Sequence, residues 1–512
     1  MDVEHDTAKL IRKIDLRLMP GMAVLYLMLF LLKQNIGNAK TYGLMEDLHM
    51  SHEEYQLALT VFFITYSLFD IPSNMLLKLF KPNIWLPFIT VLSGIVGLCM
   101  GVANSGGSII AIRTILGLVE CGLFPGVAYT ISGWYLKKEA QFRQALFFCA
   151  ASMAGAFAGV LAIAINKMDG VGNYAGWRWI FILEGLLTVV VGVIAFWFVV
   201  KPLDDVAWLS ENEKRFLKRR FIIDEFGAGD EELIKRKLAL KADASGEGVS
   251  KTQILKSVLL DWKVYAHTLI FIGVTCPLYS ISMCLPTLIK QMGHSSTMAN
   301  ILTIPVYIVA CLCSMAVAWA ADRTGRRAPF LFGSYGVMLI GFIICVFRKD
   351  DAPNVGYGGL FIAACGCYPA LPGMITWFSN NVGPASKRNI AMAVHIGIGS
   401  FGGAIGANFY RDKDKPKYVF GHAMNILFVA IAYFCIALIF VTYKTQNKKR
   451  LVLREERRNG VREKVEAEWR VQGRSEKDVV GLEEAVRRAQ SDDEEKDLTR
   501  WGDESIFFTY ML

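Results

Sequence analysis

Arg113-Thr-Ile-Leu-Gly-Leu-Val-Glu120-Cys-Gly-Leu-Phe-Pro-Gly126 places a guanidinium and a carboxylate inside a stretch otherwise apolar enough to cross a bilayer. Solvating an ionisable side chain at that depth costs at least a few kcal/mol, so such a residue marks a functional site by default. The two charges stand two helical turns apart, which puts them on one helix face about 10 Å apart along the axis. Gly117 and Phe124 continue that face. The competing account is an ion-pair network that only tightens a helix bundle, and buried pairs of that kind add little net stability.

Outward from this stretch the chain stays apolar. Of 512 residues, 54% are hydrophobic and 20% charged, with a mean hydropathy of +0.37. That composition excludes a soluble globular protein of this size and predicts an all-α polytopic membrane protein whose main partner is the lipid bilayer. A hydropathy window places spans at residues 17–40, 55–77, 84–104, 107–134, 143–166, 178–200, 264–288, 297–321, 328–348, 357–379, 389–411 and 420–444. These are twelve helices in two groups of six. The expected division is a cytosolic N-terminus (1–16), a six-helix bundle (17–200), a cytoplasmic linker (201–263), a second bundle (264–444) and a charged cytosolic tail (445–512).

The 11 cysteines fall within or beside these spans without histidines at metal-ligand spacing, so they read as small buried apolar residues and no metal is expected. The first apolar run is too long for a signal-peptide core and is expected to stay as an anchor. The net charge of +9 follows membrane topology and calls for no nucleic acid. Cations gather at Lys78/Lys81, Lys137/Lys138, Asp322 to Arg327 and Lys387/Arg388, whereas the loop from Asn38 to Tyr55 carries Lys40 against Glu46, Asp47, Glu53 and Glu54. This bias puts both termini in the cytoplasm. Arg411 to Lys417 runs against it, with Asp412 and Asp414 offsetting two of its four cations.

In the linker, Ser210-Glu-Asn-Glu213 ahead of Phe216, Leu217 and Phe221 reads as a capping box opening an amphipathic helix. Beyond Tyr443 the charged run Lys448 to Arg458 can continue as a helix and is expected to fray by Asp492 to Glu495, as a solvated tail without chemistry.

Two sets of six helices about a central linker describe a transporter of repeated halves with its site between them. The loop after the eighth span reads Ala320-Ala321-Asp322-Arg323-Thr324-Gly325-Arg326-Arg327. An aspartate at a helix end beside three arginines and a turn glycine can hold two helices together in one state and release them in another. Positive-inside anchoring accounts for the arginines alone, not for Asp322 or Gly325. The segment resembles the Gly-x-x-x-Asp-Arg-x-Gly-Arg-Arg signature of the major facilitator superfamily. In the corresponding first-half loop Asp70-Ile-Pro-Ser-Asn74 keeps a carboxylate near the helix end, with Arg143 as its expected partner, and lacks the arginine run.

Within that superfamily the chain resembles the fungal allantoate and nicotinate permease branch of the anion:cation symporter family. The resemblance rests on Asn35-Ile-Gly-Asn-Ala-Lys40, Asp70 to Asn74, Arg113 to Gly126, Ser132-Gly-Trp-Tyr135, Gly176-Trp-Arg-Trp-Ile-Phe181, Ser379-Asn-Asn381 with Lys387-Arg388, Gly402-Gly403 through Tyr410, and Gly421-His422, in the family's order. It implies a proton-coupled symporter of a small organic anion, working by alternating access, with Arg113 facing the anion and Glu120 taking part in proton coupling. Related symporters carry an Asp-Arg pair on the first helix, which aligns here with Leu32-Lys33. The cation survives as a lysine, a point charge without the bidentate fork. Its carboxylate neighbour is gone, which leaves Glu120 as the main coupling residue. For Lys33, snorkelling to the external interface competes with a binding role.

His395 stands where the resemblance leads one to expect glutamine, and an imidazole titrates near neutral pH, so it can share in proton coupling or in anion binding. Asn381, beside Trp377 and Asn380 at the end of the tenth span, completes the expected substrate set of Lys33, Arg113, Asn381 and His395. Asp70, Arg143, Asp322, Arg323, Arg326 and Arg327 form the expected gating clusters. The glycines from Gly397 to Gly406 allow close helix packing. Tyr279, with Pro277 and Pro286 interrupting the seventh span, is a candidate gate, although a lone tyrosine in a wide apolar helix reads first as packing. Efflux by the same fold, and a nutrient sensor that does not transport, are the competing functions. No nucleotide loop, metal constellation or nucleophile motif marks an enzyme, and no cofactor is implied. A plasma-membrane protein functional as a monomer is expected.

Overall fold

In a bilayer each backbone amide must find its partner within its own segment, so apolar stretches of this length fold as helices. A computed structural model describes residues 2–226, 251–349, 352–383, 385–471, 482–483, 485–487, 489–490 and 510–511. The helices are α1 (Asp2–Thr41), α2 (Leu44–Asp47), α3 (His52–Phe80), α4 (Pro82–Gly101), α5 (Gly106–Glu120), α6 (Leu123–Trp134), α7 (Lys137–Ile165) and α8 (Gly176–Phe198). After α9 (Glu211–Phe226) and α10 (Lys251–Leu259) come α11 (Trp262–Lys290), α12 (Ser296–Thr324), α13 (Ala328–Phe347), α14 (Pro353–Asn380), α15 (Ala385–Ala407) and α16 (Val419–Val471). Among the described residues 11 helices are long and apolar enough to cross a membrane. The twelfth expected span, residues 55–77, lies within the 29-residue helix α3.

Three boundaries differ from expectation for identifiable reasons. The fourth span is two helices, because Pro125 has no amide hydrogen for the carbonyl of Cys121 and the ladder breaks at Cys121–Gly122. Glu120 is thereby the last residue of α5. Conversely, α11 runs unbroken through Pro277 and Pro286. The last span continues as helix to Val471, since its charged continuation keeps good helix formers throughout.

Helix ends follow their local sequence. Ser51 and Glu54 close a capping box on α3, each side chain paired with the other residue's amide. Ser210 and Glu213 do the same for α9, as the linker sequence predicts. Gly325 ends α12 at φ +66°, a left-handed position that glycine takes without a Cβ penalty. Linker residues 227–250 lie outside the described residues.

The first six long helices meet the last six along α7 against α12 and α14, α3 against α15, and α1 against α11. At the end opposite the linker these seams are bonded. Lys290 Nζ and Ser296 Oγ both donate to the Thr41 carbonyl, at 3.1 and 3.0 Å. Asn300 Nδ2 donates to the Tyr42 hydroxyl at 3.2 Å, and Asn408 Nδ2 to Thr60 Oγ1 at 2.7 Å. On the linker side α9 docks beneath the first half: Lys13 pairs with Glu213 at 2.9 Å, and Trp208 stacks on Trp134 under the Arg17 guanidinium. Between the ends, Tyr26, Phe124, Phe147 and Phe148 form an aromatic floor, with the Tyr26 and Phe147 ring centres 4.3 Å apart.

Candidate functional site

Above that floor the structure brings Lys33, Arg113 and Glu120 together. Arg113 is 0%, Glu120 2% and Lys33 6% exposed. Lys33 Nζ lies 3.9 Å from a Glu120 carboxylate oxygen, and Arg113 Nη1 donates to the Lys33 carbonyl at 3.5 Å. Lys33 therefore points inward and does not snorkel. Its ammonium is caged by the rings of Tyr66 (4.7 Å to the centroid), Phe62 (5.1 Å), Tyr279 (5.6 Å) and Phe30 (5.9 Å), contacts that partly replace lost hydration. The Arg113 guanidinium also lies over Phe62, at 4.9 Å.

Two sequence features allow this approach. Gly117, one turn beyond Arg113, faces the α3 backbone so closely that a Cβ would lie 2.2 Å from the Phe62 carbonyl oxygen. The break at Cys121–Gly122 puts Glu120 at the end of α5, opposite α1.

The site has more positive than negative charge. Two cations face one carboxylate, and the Coulomb attraction inside a low-dielectric helix bundle is far from screened. Among the described residues Arg113 Nε and Nη2 have no hydrogen-bond partner, and neither Glu120 oxygen accepts a hydrogen bond. Nε and Nη2 form the side-on edge of the guanidinium, the edge that takes both oxygens of a carboxylate in parallel. Chemically, the arrangement can bind an anion against aromatic rings and can trade the Lys33–Glu120 pair for a protonated Glu120.

The remaining candidates lie elsewhere. His395 is buried between α11 and α14, with Nδ1 3.4 Å from Thr268 Oγ1 and its ring against Phe378 and Phe271. Asn381 donates to the carbonyls of Trp377 and Met511 and accepts from the Met511 amide at 2.6 Å. The end of the tail thus folds back on the bundle, against the expectation of a wholly solvated segment. Tyr510 stacks on Tyr443 with ring centres 4.2 Å apart and accepts from Lys263 Nζ at 2.9 Å. Residues 492–495 lie outside the described residues.

The expected pairing of Asp70 with Arg143 does not form. Arg143 makes a bidentate pair with Asp15 at 2.7 and 2.8 Å and donates to the Glu139 carbonyl, because α1 extends far enough below the membrane stretch to offer a nearer carboxylate. Asp70 is buried against α15 near Gly397 and has no hydrogen-bond partner among the described residues. In the second-half loop, Arg327 pairs with Asp322 at 2.7 Å, Arg323 lies over Trp319, and Arg326 is exposed.

Sequence reasoning ranked one residue of the site as packing and passed over a second buried acid. Tyr279 belongs to the cage around Lys33, and its position in a wide apolar helix gave no sign of that. Glu184 is a fully membrane-embedded carboxylate in α8, joined to Asn35 on α1. The signal that marks Arg113 and Glu120, charge inside an apolar run, marks Glu184 equally.

The family model described as Major Facilitator Superfamily matches residues 22–407. The chain is 32% identical to the MFS transporter prlL of a fungal species over 86% of this chain and 87% of the relative. It is 35% identical to the MFS-type transporter cnsO of Penicillium expansum over 82% and 80% of the two chains. It is 28% identical to the high-affinity nicotinic acid transporter of Saccharomyces cerevisiae over 86% and 79%. Among solved structures, a bacterial homologue of the human lysosomal transporter Spinster, in an inward-facing and occupied conformation, superposes with a TM-score of 0.60. That match covers 82% of this chain and 95% of the other at 15% identity, a likeness of fold.

Proposed function

The chain belongs to the Major Facilitator Superfamily, and from that membership we propose that it is a proton-coupled symporter of a small organic anion. The observation that carries the reading is the buried Lys33–Arg113–Glu120 cluster, with two cations for one carboxylate and a side-on guanidinium edge that has no partner among the described residues. A carboxylate on the substrate balances the surplus charge and satisfies Arg113 Nε and Nη2. The rings of Phe62, Tyr66 and Tyr279 favour a flat substrate, and the nicotinic acid transporter among the relatives makes a pyridine carboxylate the first to try.

Coupling follows from charge. With Glu120 ionised, Lys33 is shared between Glu120 and the substrate. A proton on Glu120 releases Lys33 to the anion, so proton and anion favour one another, which is the thermodynamic content of symport. The seam bonded at Thr41, Tyr42 and Thr60 opens in the alternate state, while Asp322–Arg327 and Arg143–Asp15 hold their own halves rigid as the halves rock. With the linker on the cytoplasmic side, the conformation described here is closed to the outside.

The test is uptake of radiolabelled nicotinate, pantothenate, allantoate, biotin and small sulfonates at two external pH values. One of these anions is expected to accumulate at acid pH. Glu120→Gln should then abolish accumulation driven by the pH gradient and spare exchange of labelled for unlabelled anion. Net uptake in that variant that still follows the pH gradient would remove Glu120 from the coupling role.

A further inference from the structure

The charged cluster leaves unexplained a second buried acid. Glu184 is 3% and Asn35 0% exposed, in membrane-spanning segments of α8 and α1. Asn35 Nδ2 donates to Glu184 Oε2 at 2.7 Å. Among the described residues the other carboxyl oxygen, Glu184 Oε1, has no hydrogen-bond partner, and neither has the amide oxygen Asn35 Oδ1. The pair thus contains one satisfied donor and two stranded acceptors. A buried acceptor left without a donor is unfavourable.

A single proton removes the conflict. Placed on Glu184 Oε1, it removes the buried charge and turns that oxygen into a donor, the group the stranded acceptors lack. An ionised Glu184 would instead be a charge buried in an apolar helix bundle and held by one neutral N–H, an unfavourable state.

Among the described residues no neighbouring charge offsets that cost. α8 packs on α4, α1, α7 and the short turn Asn166–Met168. α4 has no Asp, Glu, His, Lys or Arg, and neither has α7 from Gln144 to Ile165. On α1, Lys33 is turned to Glu120 and its ring cage, and Lys40 lies over Tyr55. Lys167 follows the end of α7, and Asp169 caps the start of α8 through the Gly176 amide. Gly176 is eight residues from Glu184, about 12 Å along the helix. Arg178 on α8 itself pairs with Asp47.

From this geometry we infer that Glu184 and Asn35 form a second proton-binding site, occupied in the conformation seen here and emptied when α1 shifts. The inference rests on the transport reading for its place in the cycle, and on hydrogen bonding alone for the proton. Asn35 lies two residues beyond Lys33 and two before Gly37, where a Cβ would lie 2.3 Å from the Met283 carbonyl of α11. One stretch of α1 therefore touches the substrate cluster, Glu184 and the opposite half of the bundle. Rocking of the halves must carry that stretch. Parting Asn35 from Glu184 and admitting water lets the acid pass its Oε1 proton to that water and remain as a hydrated carboxylate.

The site is tested by infrared spectroscopy on the full-length protein in lipid nanodiscs, with no substrate. At neutral pH the wild type should show a C=O stretching band of a protonated carboxyl. That band should vanish in Glu184→Gln, whose amide can still pair with Asn35, and persist in Glu120→Gln. In Asn35→Leu it should move to the position of a carboxyl freed of its hydrogen bonds, which keeps the test decisive if Glu184→Gln folds poorly. In the wild type it should disappear reversibly at alkaline pH. A spectrum unchanged by Glu184→Gln, or a Glu184 band that no pH removes, overturns the inference. Failure of the uptake panel would strike the organic-anion reading alone and leave these bands untouched.

Discussion

The two halves of the bundle bury different chemistry. Among the described residues, and apart from Arg327, Arg348 and Lys387 at helix ends of the second half, the buried acids, lysines and arginines belong to the first: Lys33, Asp70, Arg113, Glu120 and Glu184. The second buries His267, His395, Thr275, Ser280 and Asn425, neutral or readily neutral groups bonded to one another or to backbone carbonyls: Thr275 to Gly399, Ser280 to Gly406, and His267 to Tyr443. Ionic groups in lipid-embedded helices persist only where they act or are fully paired. Among the described residues both halves keep unpartnered polar atoms, but in the first they include those of acids and Arg113, and in the second they belong chiefly to groups with no obligatory charge, such as His267 Nδ1 and His395 Nε2. The first half carries the charge chemistry, and the second supplies a wall, of which Tyr279 is the part that reaches Lys33.

The largest expected effect comes from removing the unpaired feature of the charged half while keeping its charge. Arg113→Lys retains the cation and loses the side-on edge of Nε and Nη2. Replacing a bidentate, charge-assisted pair by a single contact costs about 2 kcal/mol. The KM for the transported anion should therefore rise roughly thirty-fold, with the maximal rate less affected. An unchanged KM would mean that the anion is held elsewhere, and the contrast between the halves would lose its functional meaning.

Much of this contrast was open to sequence reading, because charge in an apolar run is conspicuous at one residue's resolution. Arg113 and Glu120 stand out, and two turns of helix suffice to place them on one face. What sequence could not supply is the partner across helices. Lys33 could snorkel or turn inward, and only the cage of Phe30, Phe62, Tyr66 and Tyr279 decides it. Arg143, expected to meet Asp70, took Asp15 instead, because α1 begins well before its apolar run. His395 drew notice for its titration range, yet titration says nothing of which way a ring faces. The break at Cys121 was readable from Pro125, whereas Pro277 and Pro286 were tolerated in a helix packed on several sides.

A smaller effect is expected at the linker end of the neutral half, where the tail returns. Tyr510 stacks on Tyr443 and accepts from Lys263, while the Met511 backbone carries the bonds from Trp377 and Asn381. Tyr510→Ala removes the stack and the hydroxyl contact, together worth about 2 kcal/mol. The apparent Tm in detergent should fall by several degrees while the KM of the transported anion stays within error, since α11, α14 and α16 are tied here far from Lys33. A shift in KM without loss of stability would make the tail part of the transport machinery and blur the division between the halves.

The smallest effect is expected at His395, and it is the sharpest test of the division. His395→Gln keeps a polar group able to pair with Thr268 and gives up the ring contacts with Phe271 and Phe378. Those contacts are of a size that costs about 1 kcal/mol or less when traded for an amide of similar reach. If proton coupling lies wholly in the first half, the dependence of uptake on external pH should superpose on the wild type, with a slight loss of thermal stability. A displaced pH profile would place a titrating group in the second half. The acids Glu120 and Glu184 would then have a partner across the seam, and coupling would depend on both halves together.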